Sequence, residues 1–185
     1  MYYHASKTKD IKELNPNISN HNKPLIYFSS KYENVLVYLS NAITKTCLEN
    51  NLKFDRWTTW ASYGFEDGIL VIEEYYPNAT YETYKGVSGY IYYVNDMPNI
   101  KKQEDIKDAY ITDSNVIVDG CIYVEDAYEE IMKYVEMGKL KLLRYEEITD
   151  EKRKWIYDTI KKEYANNPSP DYKYFLLNKF DFLKE

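Results

Sequence analysis

Two short segments near the start of this 185-residue chain combine side chains that can hold a flat aromatic ligand. The first is Tyr-His-Ala-Ser, which places His4 on a predicted strand. The second predicts a strand that ends at Tyr27 and a helix that carries Tyr38, eleven residues later. A helix that begins near Ser30 puts Tyr38 roughly 12 Å along the axis. If both elements face one cleft, the two rings flank the ligand and His4 hydrogen bonds beside them.

These two segments resemble the ADP-ribosyltransferase superfamily, in particular the branch of diphtheria toxin and the poly-ADP-ribose polymerases. That branch carries a Tyr-His-Gly-Ser/Thr strand. A later strand ends in a Tyr-Phe or Phe-Tyr pair, and a second tyrosine follows at the spacing found here. The match extends as far as Tyr38, and it departs from the family at Ala5, where glycine is usual.

The resemblance implies an NAD site and a role for each matching residue. His4 would hydrogen bond the adenosine-side ribose, and the backbone of Ala5 would hold the nicotinamide amide. Ser6 would contact the nicotinamide-side ribose. Tyr27 and Tyr38 would sandwich the nicotinamide ring. Stacking fixes the ring in the orientation that the departure of nicotinamide requires.

The family also has a catalytic glutamate on a late strand, and Glu125 is the best match by position. Its carboxylate would grip the ribose 2′-hydroxyl and stabilise the oxocarbenium-like charge as nicotinamide leaves. Glu73, Glu74 and Glu129 remain alternatives. Acids at this point also suit a helix N-terminus, where Asp126 is a natural N-cap.

The elements around these residues follow from local patterns. Ser30 and Glu33 form a capping-box pattern, which predicts one helix that continues to about residue 50. A second helix is predicted after Asp126 and ends at Gly138. Lys7–Pro16 predicts a turn of helix with two inward apolar residues. The tyrosines at 90, 92 and 93 predict sheet surface and core rather than a second site.

The last third of the chain predicts a third helix and a docked tail. That helix is capped by Thr149 or Asp150. The residues predicted to face inward are Trp155, Ile156, Thr159 and Ile160. The tail beyond it is too apolar to be free.

Composition excludes several classes of protein. The net charge is −6, with lysines scattered among acids, so generic nucleic-acid binding is not expected. Cys47 and Cys121 lack the spacing of a zinc site, and we expect two reduced thiols and no metal. Glycine-rich phosphate loops, GxSxG and HExxH are absent from the sequence. His21, in an asparagine-rich loop, is predicted to be solvated. We expect a cytoplasmic bacterial or phage protein without a membrane partner.

The sequence therefore predicts one α+β domain over residues 1–185, an ADP-ribosyltransferase-like fold of split antiparallel sheets with flanking helices. The predicted substrate is NAD, and the acceptor is an unknown protein or nucleotide, or water. Two alternatives stay open. One is an inactive member of the fold that serves as a nucleotide- or protein-binding module. The other is an interaction protein whose resemblance is due to chance.

Overall fold

A computed structural model describes residues 1–18, 23–55, 59–97, 99–104 and 106–184. The prediction for His21 lies outside the described residues. The strands are β1 (Tyr2–Ser6), β2 (Glu13–Leu14), β3 (Asn17–Ile18), β4 (Pro24–Ser29), β5 (Tyr63–Glu66), β6 (Ile69–Glu73), β7 (Gly89–Val94), β8 (Lys101–Lys102), β9 (Ala109–Thr112), β10 (Val116–Ile117), β11 (Gly120–Val124) and β12 (Leu140–Leu143).

Six α-helices and three 3₁₀ helices accompany these strands in the described part of the chain. The α-helices are α1 (Tyr32–Val35), α2 (Ala42–Glu49), α3 (Ala79–Tyr84), α4 (Ala127–Glu136), α5 (Asp150–Asn166) and α6 (Pro170–Lys179). The 3₁₀ helices cover Leu36–Leu39, Tyr145–Glu147 and Asp181–Leu183.

The largest sheet is antiparallel and has seven strands. Its order is β11-β7-β1-β4-β9-β8, and β3 also pairs with β4. A second sheet has the order β12-β6-β5, in which β12 runs parallel to β6. The third is the β2–β10 pair. The predicted α+β class, with mostly antiparallel sheets, is confirmed.

Three apolar clusters hold these layers together. The first fills the space between the large sheet, the second sheet and α4, around Leu36, Ile91 and Ile131. The second packs α2, α5 and α6 around Phe175 and Leu176, which confirms that the tail docks on the body. The third covers the opposite face of the large sheet. No helix among the described residues has both the length and the apolar character needed to cross a bilayer.

The prediction of one continuous helix after β4 is wrong. It breaks into α1, a 3₁₀ turn and α2, and Ser40 at the break is extended. The cause is non-local: the Ser40 hydroxyl donates to the Trp60 carbonyl, and the Trp60 N–H donates to the Ser40 oxygen over 3.3 Å. The capping box is also wrong, because Lys31 occupies the N-cap position and no side chain caps α1.

Two smaller predictions also fail. Lys7–Pro16 forms no described helix, because Leu14 pairs with Val116 in the β2–β10 ladder instead. Trp155 is half exposed rather than part of the inner face of α5, where Ile156 and Ile160 are buried. The other cap predictions are confirmed. The Asp126 carboxylate and the Thr149 hydroxyl accept N–H groups at the starts of α4 and α5.

Candidate functional site

The large sheet parts between β1 and β4. Strand β1 pairs with β7 at every residue from Tyr2 to Ser6. Against β4, the described register has one position, Tyr3 opposite Ser29. The two strands therefore separate beyond Tyr3, within the segment that carries the Tyr-His-Ala-Ser motif. A gap between neighbouring strands leaves backbone groups that a ligand can bind.

His4 bridges this gap with its side chain. Its Nδ1 lies 2.9 Å from the carbonyl oxygen of Tyr27. A carbonyl only accepts, so Nδ1 carries the proton and donates. Burial lowers the pKa of His4, and the hydrogen bond to Tyr27 opposes that effect only in part. The imidazole is therefore neutral near pH 7, which leaves Nε2 as a hydrogen-bond acceptor.

Tyr27 and Tyr38 line one cleft, whereas His4 and Glu125 do not line it. The space inside the cleft is about 20 Å³, room for about one water molecule, so a ring could enter only if the walls moved apart. Asn34 on α1 and Phe65 on β5 contribute to its walls, and Lys107 comes from the loop before β9. Successive strand residues point to opposite faces. Tyr27 therefore faces α1, whereas its neighbour Phe28 lies in the cluster on the other side.

Tyr38 and Tyr63 close one end of the cleft. Their hydroxyl oxygens are 2.9 Å apart, and their rings meet edge to face at 6.1 Å. Desolvation raises the pKa of Tyr38, and the Tyr63 hydroxyl adds to that effect, so the Tyr38 hydroxyl is neutral at physiological pH. Tyr38 remains 46% exposed, so a planar ligand can reach its ring from solvent.

A charged cluster forms another part of the rim. The Lys31 ammonium lies 3.2 Å from Asp108 Oδ2 and donates to the Gly68 carbonyl over 3.2 Å. Gly68 has a φ of +76°, and a Cβ there would overlap Lys107. This turn of the β5–β6 hairpin thus favours glycine for its backbone conformation, whereas the end of the flexible Lys107 side chain could move aside. Asp108 lies between two cleft-lining residues, Lys107 and Ala109.

Glu125 lies apart from the cleft. It is exposed and follows β11, whose last residue Val124 pairs with Gly89 on β7. Since β7 stands between β11 and β1, two strand spacings, or about 10 Å, separate their backbones. The described residues that line the cleft include no carboxylate.

The other three glutamates that the sequence left open have structural partners. Glu74 is 1% exposed and accepts the Thr80 N–H over 3.0 Å. Glu73 pairs with Lys152 at 2.9 Å. Glu129 pairs with Lys85 on the surface. Each of these carboxylates is engaged in holding elements together.

Ala5 and Ser6 occupy the separated part of β1. The Ala5 side chain packs against the first apolar cluster, and the Ser6 hydroxyl accepts the Thr8 N–H over 3.1 Å. Neither residue lines the cleft that holds Tyr27 and Tyr38. His4 bonds the backbone carbonyl of Tyr27, while its ring lies 5.7 Å from that of Phe28, whose side chain is on the other face of β4 from Tyr27.

Sequence reasoning missed three residues of the site: Asn34, Tyr63 and Asp108. Asn34 lies four residues before Tyr38, and that spacing on a helix could have placed both on one face. The sequence offers no such signal for Tyr63 or Asp108, because their positions depend on how distant strands pair. Among the described residues, no group of three His, Cys, Asp or Glu side chains could hold a metal ion.

Comparisons with models of known protein families, with curated proteins and with solved structures found no match. The family resemblance therefore depends on the Tyr-His-Ala-Ser segment and on the spacing of Tyr27 and Tyr38.

Proposed function

We propose that this protein binds NAD as an ADP-ribosyltransferase-like domain and cleaves the nicotinamide–ribose bond. ADP-ribose would pass to an unknown protein or nucleotide acceptor, or to water. The observation that carries the proposal is the meeting of Tyr27 and Tyr38 in one cleft beside the gap that His4 bridges.

The arrangement suits each part of the dinucleotide. Two tyrosine rings on the walls of one cleft can stack against the nicotinamide ring, and each aromatic contact contributes about 1 kcal/mol beyond area burial. The Nε2 of a neutral His4 can accept a ribose hydroxyl if the ligand crosses the gap, since His4 itself does not line the cleft. The parting of β1 from β4 supports the split-sheet form of the fold, since it leaves the backbone near Ala5 open to the nicotinamide amide.

The reaction also needs a carboxylate where positive charge develops on the ribose. Glu125 is the residue that the resemblance implies. Asp108 is the described carboxylate placed between two cleft-lining residues. We propose Asp108 for this role because its chain neighbours line the cleft, and the role requires its carboxylate to leave the pair with Lys31 at 3.2 Å. Glu125 stays the sequence prediction.

The experiment is release of nicotinamide from NAD, followed by chromatography in wild type, Asp108→Asn and Glu125→Gln. Glu129→Gln is the matched control, because Glu129 is an exposed acid that pairs with Lys85 and does not line the cleft. We expect Asp108→Asn to abolish release and Glu129→Gln to keep it. If Glu125→Gln alone abolished release, the carboxylate assigned by the resemblance would be the correct one.

A second function is favoured by one observation, the lack of a carboxylate among the described lining residues. The same fold could hold NAD or a related nucleotide without cleaving it. Measurable NAD binding with no nicotinamide release, whatever acceptor is added, would favour this binding module. A wild-type protein that binds no NAD would contradict both functions.

A further inference from the structure

Strand β11 forms one edge of the large sheet. Its neighbour is β7, with which it pairs from Gly120 to Val124, and no described strand pairs with its other side. Successive strand residues point to opposite faces, yet Cys121, Ile122 and Tyr123 are all exposed. Ile122 is 42% exposed and Tyr123 is 57% exposed. The middle of the strand is therefore open to solvent on both faces as well as along its outer edge.

The opposite edge of the same sheet is protected, whereas β11 is not. Edge strands usually avoid pairing with other chains by being very short, by carrying lysine or proline, or by a bulge. The other edge strand, β8, consists of two exposed lysines, Lys101 and Lys102. Strand β11 has five residues, none of them charged or proline, and it pairs with β7 in unbroken register. Alternate backbone N–H and C=O groups of β11 thus point outward, where another extended chain can bond them.

Acidic residues at both ends of β11 restrict what can pair with it. Asp119 precedes the strand, Glu125 follows it, and both are exposed. The Asp119 carboxylate accepts the Asn95 N–H over 2.6 Å, which fixes it beside the start of the strand. A second copy paired antiparallel about Ile122 would set Asp119 of each copy against Glu125 of the other. Like charges that face each other destabilise a ladder, so the edge disfavours its own copy and favours a partner with basic ends.

We propose that β11 binds an extended segment of a different protein, which adds to the edge of the large sheet as a further strand. Asp119 and Glu125 are six residues apart, roughly 20 Å along an extended chain. The segment that fits has a lysine or arginine at each end and five uncharged, β-prone residues between them. The exposed Tyr123 ring, 5.3 Å from that of Tyr90, offers an apolar surface to one of those residues. This inference goes beyond the proposed function and does not depend on NAD.

The test uses a fluorescent peptide with blocked ends, Lys-Val-Thr-Val-Thr-Val-Lys, and measures its affinity for wild type by anisotropy. A peptide with glutamate in place of both lysines should bind at least about tenfold more weakly, because its ends are repelled. A third peptide has proline in place of the central valine. It keeps the charges but loses an N–H and the extended pairing, and it should also bind at least about tenfold more weakly. Hydrogen exchange should show that the bound lysine-ended peptide protects amides of β11.

A charge placed on the strand itself should also block the edge. Ile122→Lys introduces the side chain that natural edge strands use for protection, and we expect the lysine-ended peptide to bind about tenfold more weakly. Ile117→Lys is the matched control, since Ile117 is exposed too but lies on β10, outside the large sheet. This control should bind the peptide as wild type does. Glu125→Lys should shift the preference toward the glutamate-ended peptide.

Several outcomes would overturn the inference. One is no binding of the lysine-ended peptide to wild type at millimolar concentration. Another is equal affinity for the proline-containing peptide, which would show that charge attraction alone is responsible. A third is a wild-type dimer in sedimentation that Ile122→Lys converts to a monomer, because a second copy would then occupy the edge. Nicotinamide release is measured on the same wild-type protein, and its absence would count against the proposed function alone.

Discussion

In the part of the chain that the structure describes, two strands of the large sheet lead directly into a helix, and the two junctions differ in how the start of the helix is capped. At the β11–α4 junction, Asp126 caps the helix, accepting N–H groups from Tyr128 at 3.0 Å and Glu129 at 3.3 Å. At the β4–α1 junction no side chain caps the helix, which turns into 3₁₀ form after four residues. At the first junction a side chain caps the start of the helix. At the second, no described group donates a hydrogen bond to the buried Asn34 Oδ1.

The capped β11–α4 junction has a structural role, whereas the uncapped β4–α1 junction lies beside the candidate binding site. Asp126 also accepts the Gly86 N–H over 3.1 Å and pairs with Lys85 at 3.0 Å. Burial alone would raise the pKa of Asp126, but these hydrogen bonds outweigh it and hold the pKa below its usual range. Natural sequences break local rules mainly where function requires it. The β4–α1 junction breaks them, and the cleft lies beside it.

The largest effect should come from removing the cap at the capped junction. Asp126→Ala takes away the acceptor of three N–H groups, and we expect a loss of about 2 kcal/mol in the free energy of unfolding. Urea denaturation measures this loss, and NAD affinity should not change. Glu129→Ala is the control, since it removes only an exposed ion pair with Lys85 and should cost under about 1 kcal/mol. An Asp126→Ala protein as stable as wild type would break the comparison.

The next effect concerns ligand binding at the uncapped junction. Tyr38→Ala removes one ring from the cleft, and we expect NAD affinity to fall about tenfold, or about 1.4 kcal/mol. Stability should change little, since Tyr38 is 46% exposed. Tyr81 is 48% exposed and contacts Tyr128 instead, so Tyr81→Ala is a matched control measured by the same calorimetric titration. Equal affinities in the two variants would count against the cleft.

A smaller effect is the pH dependence contributed by His4. Its pKa in the folded protein lies below the ordinary value of 6.5, because burial disfavours the charged imidazolium. The unfolded chain therefore binds a proton first as the pH falls. The contribution of His4 to stability is complete above about pH 6.5 and is lost as the pH falls through the lower, folded pKa.

Urea unfolding of wild type and His4→Asn, above and below this range, measures that contribution. Asparagine can still donate to the Tyr27 carbonyl but does not titrate. We expect the stability of wild type relative to His4→Asn to decrease on acidification. A difference that is constant with pH would show that His4 does not titrate in the way described.

The smallest effect is expected at Ser30, where the sequence suggests a cap and the structure has none. The Ser30 hydroxyl lies 3.5 Å from an Asp108 carboxylate oxygen, a long contact, and it caps no N–H of α1. Ser30→Ala should change the unfolding free energy by less than about 0.5 kcal/mol. Thr149→Ala removes a real cap of α5 and should cost about 1 kcal/mol. If Ser30→Ala proved the more costly substitution in urea denaturation, the contrast between the junctions would need revision.

Much of the fold was predictable because its signals are local. Asp126 and Gly138 mark the two ends of α4 by their own chemistry, and Gly138 has the φ of +69° that a helix-ending glycine adopts. Strand β1 follows from a short run of β-prone residues. Tyr27 and Tyr38 line one cleft, but His4 and Glu125, which the sequence placed with them, do not.

The remainder depends on partners far away in the chain. Ser40 breaks the helix because Trp60 reaches its hydroxyl, and no pattern around Ser40 announces that contact. The gap between β1 and β4 exists because the strands pair at Tyr3 and then separate. Asn34 becomes notable only when its lack of a donor is seen in three dimensions. Local rules do not contain such information.

The central claim is that the cleft between Tyr27 and Tyr38 holds nicotinamide. A crystal structure of the protein soaked with nicotinamide tests it most directly. The account predicts the pyridine ring between the rings of Tyr27 and Tyr38. Nicotinamide bound elsewhere, or an empty cleft at a saturating concentration, would contradict it.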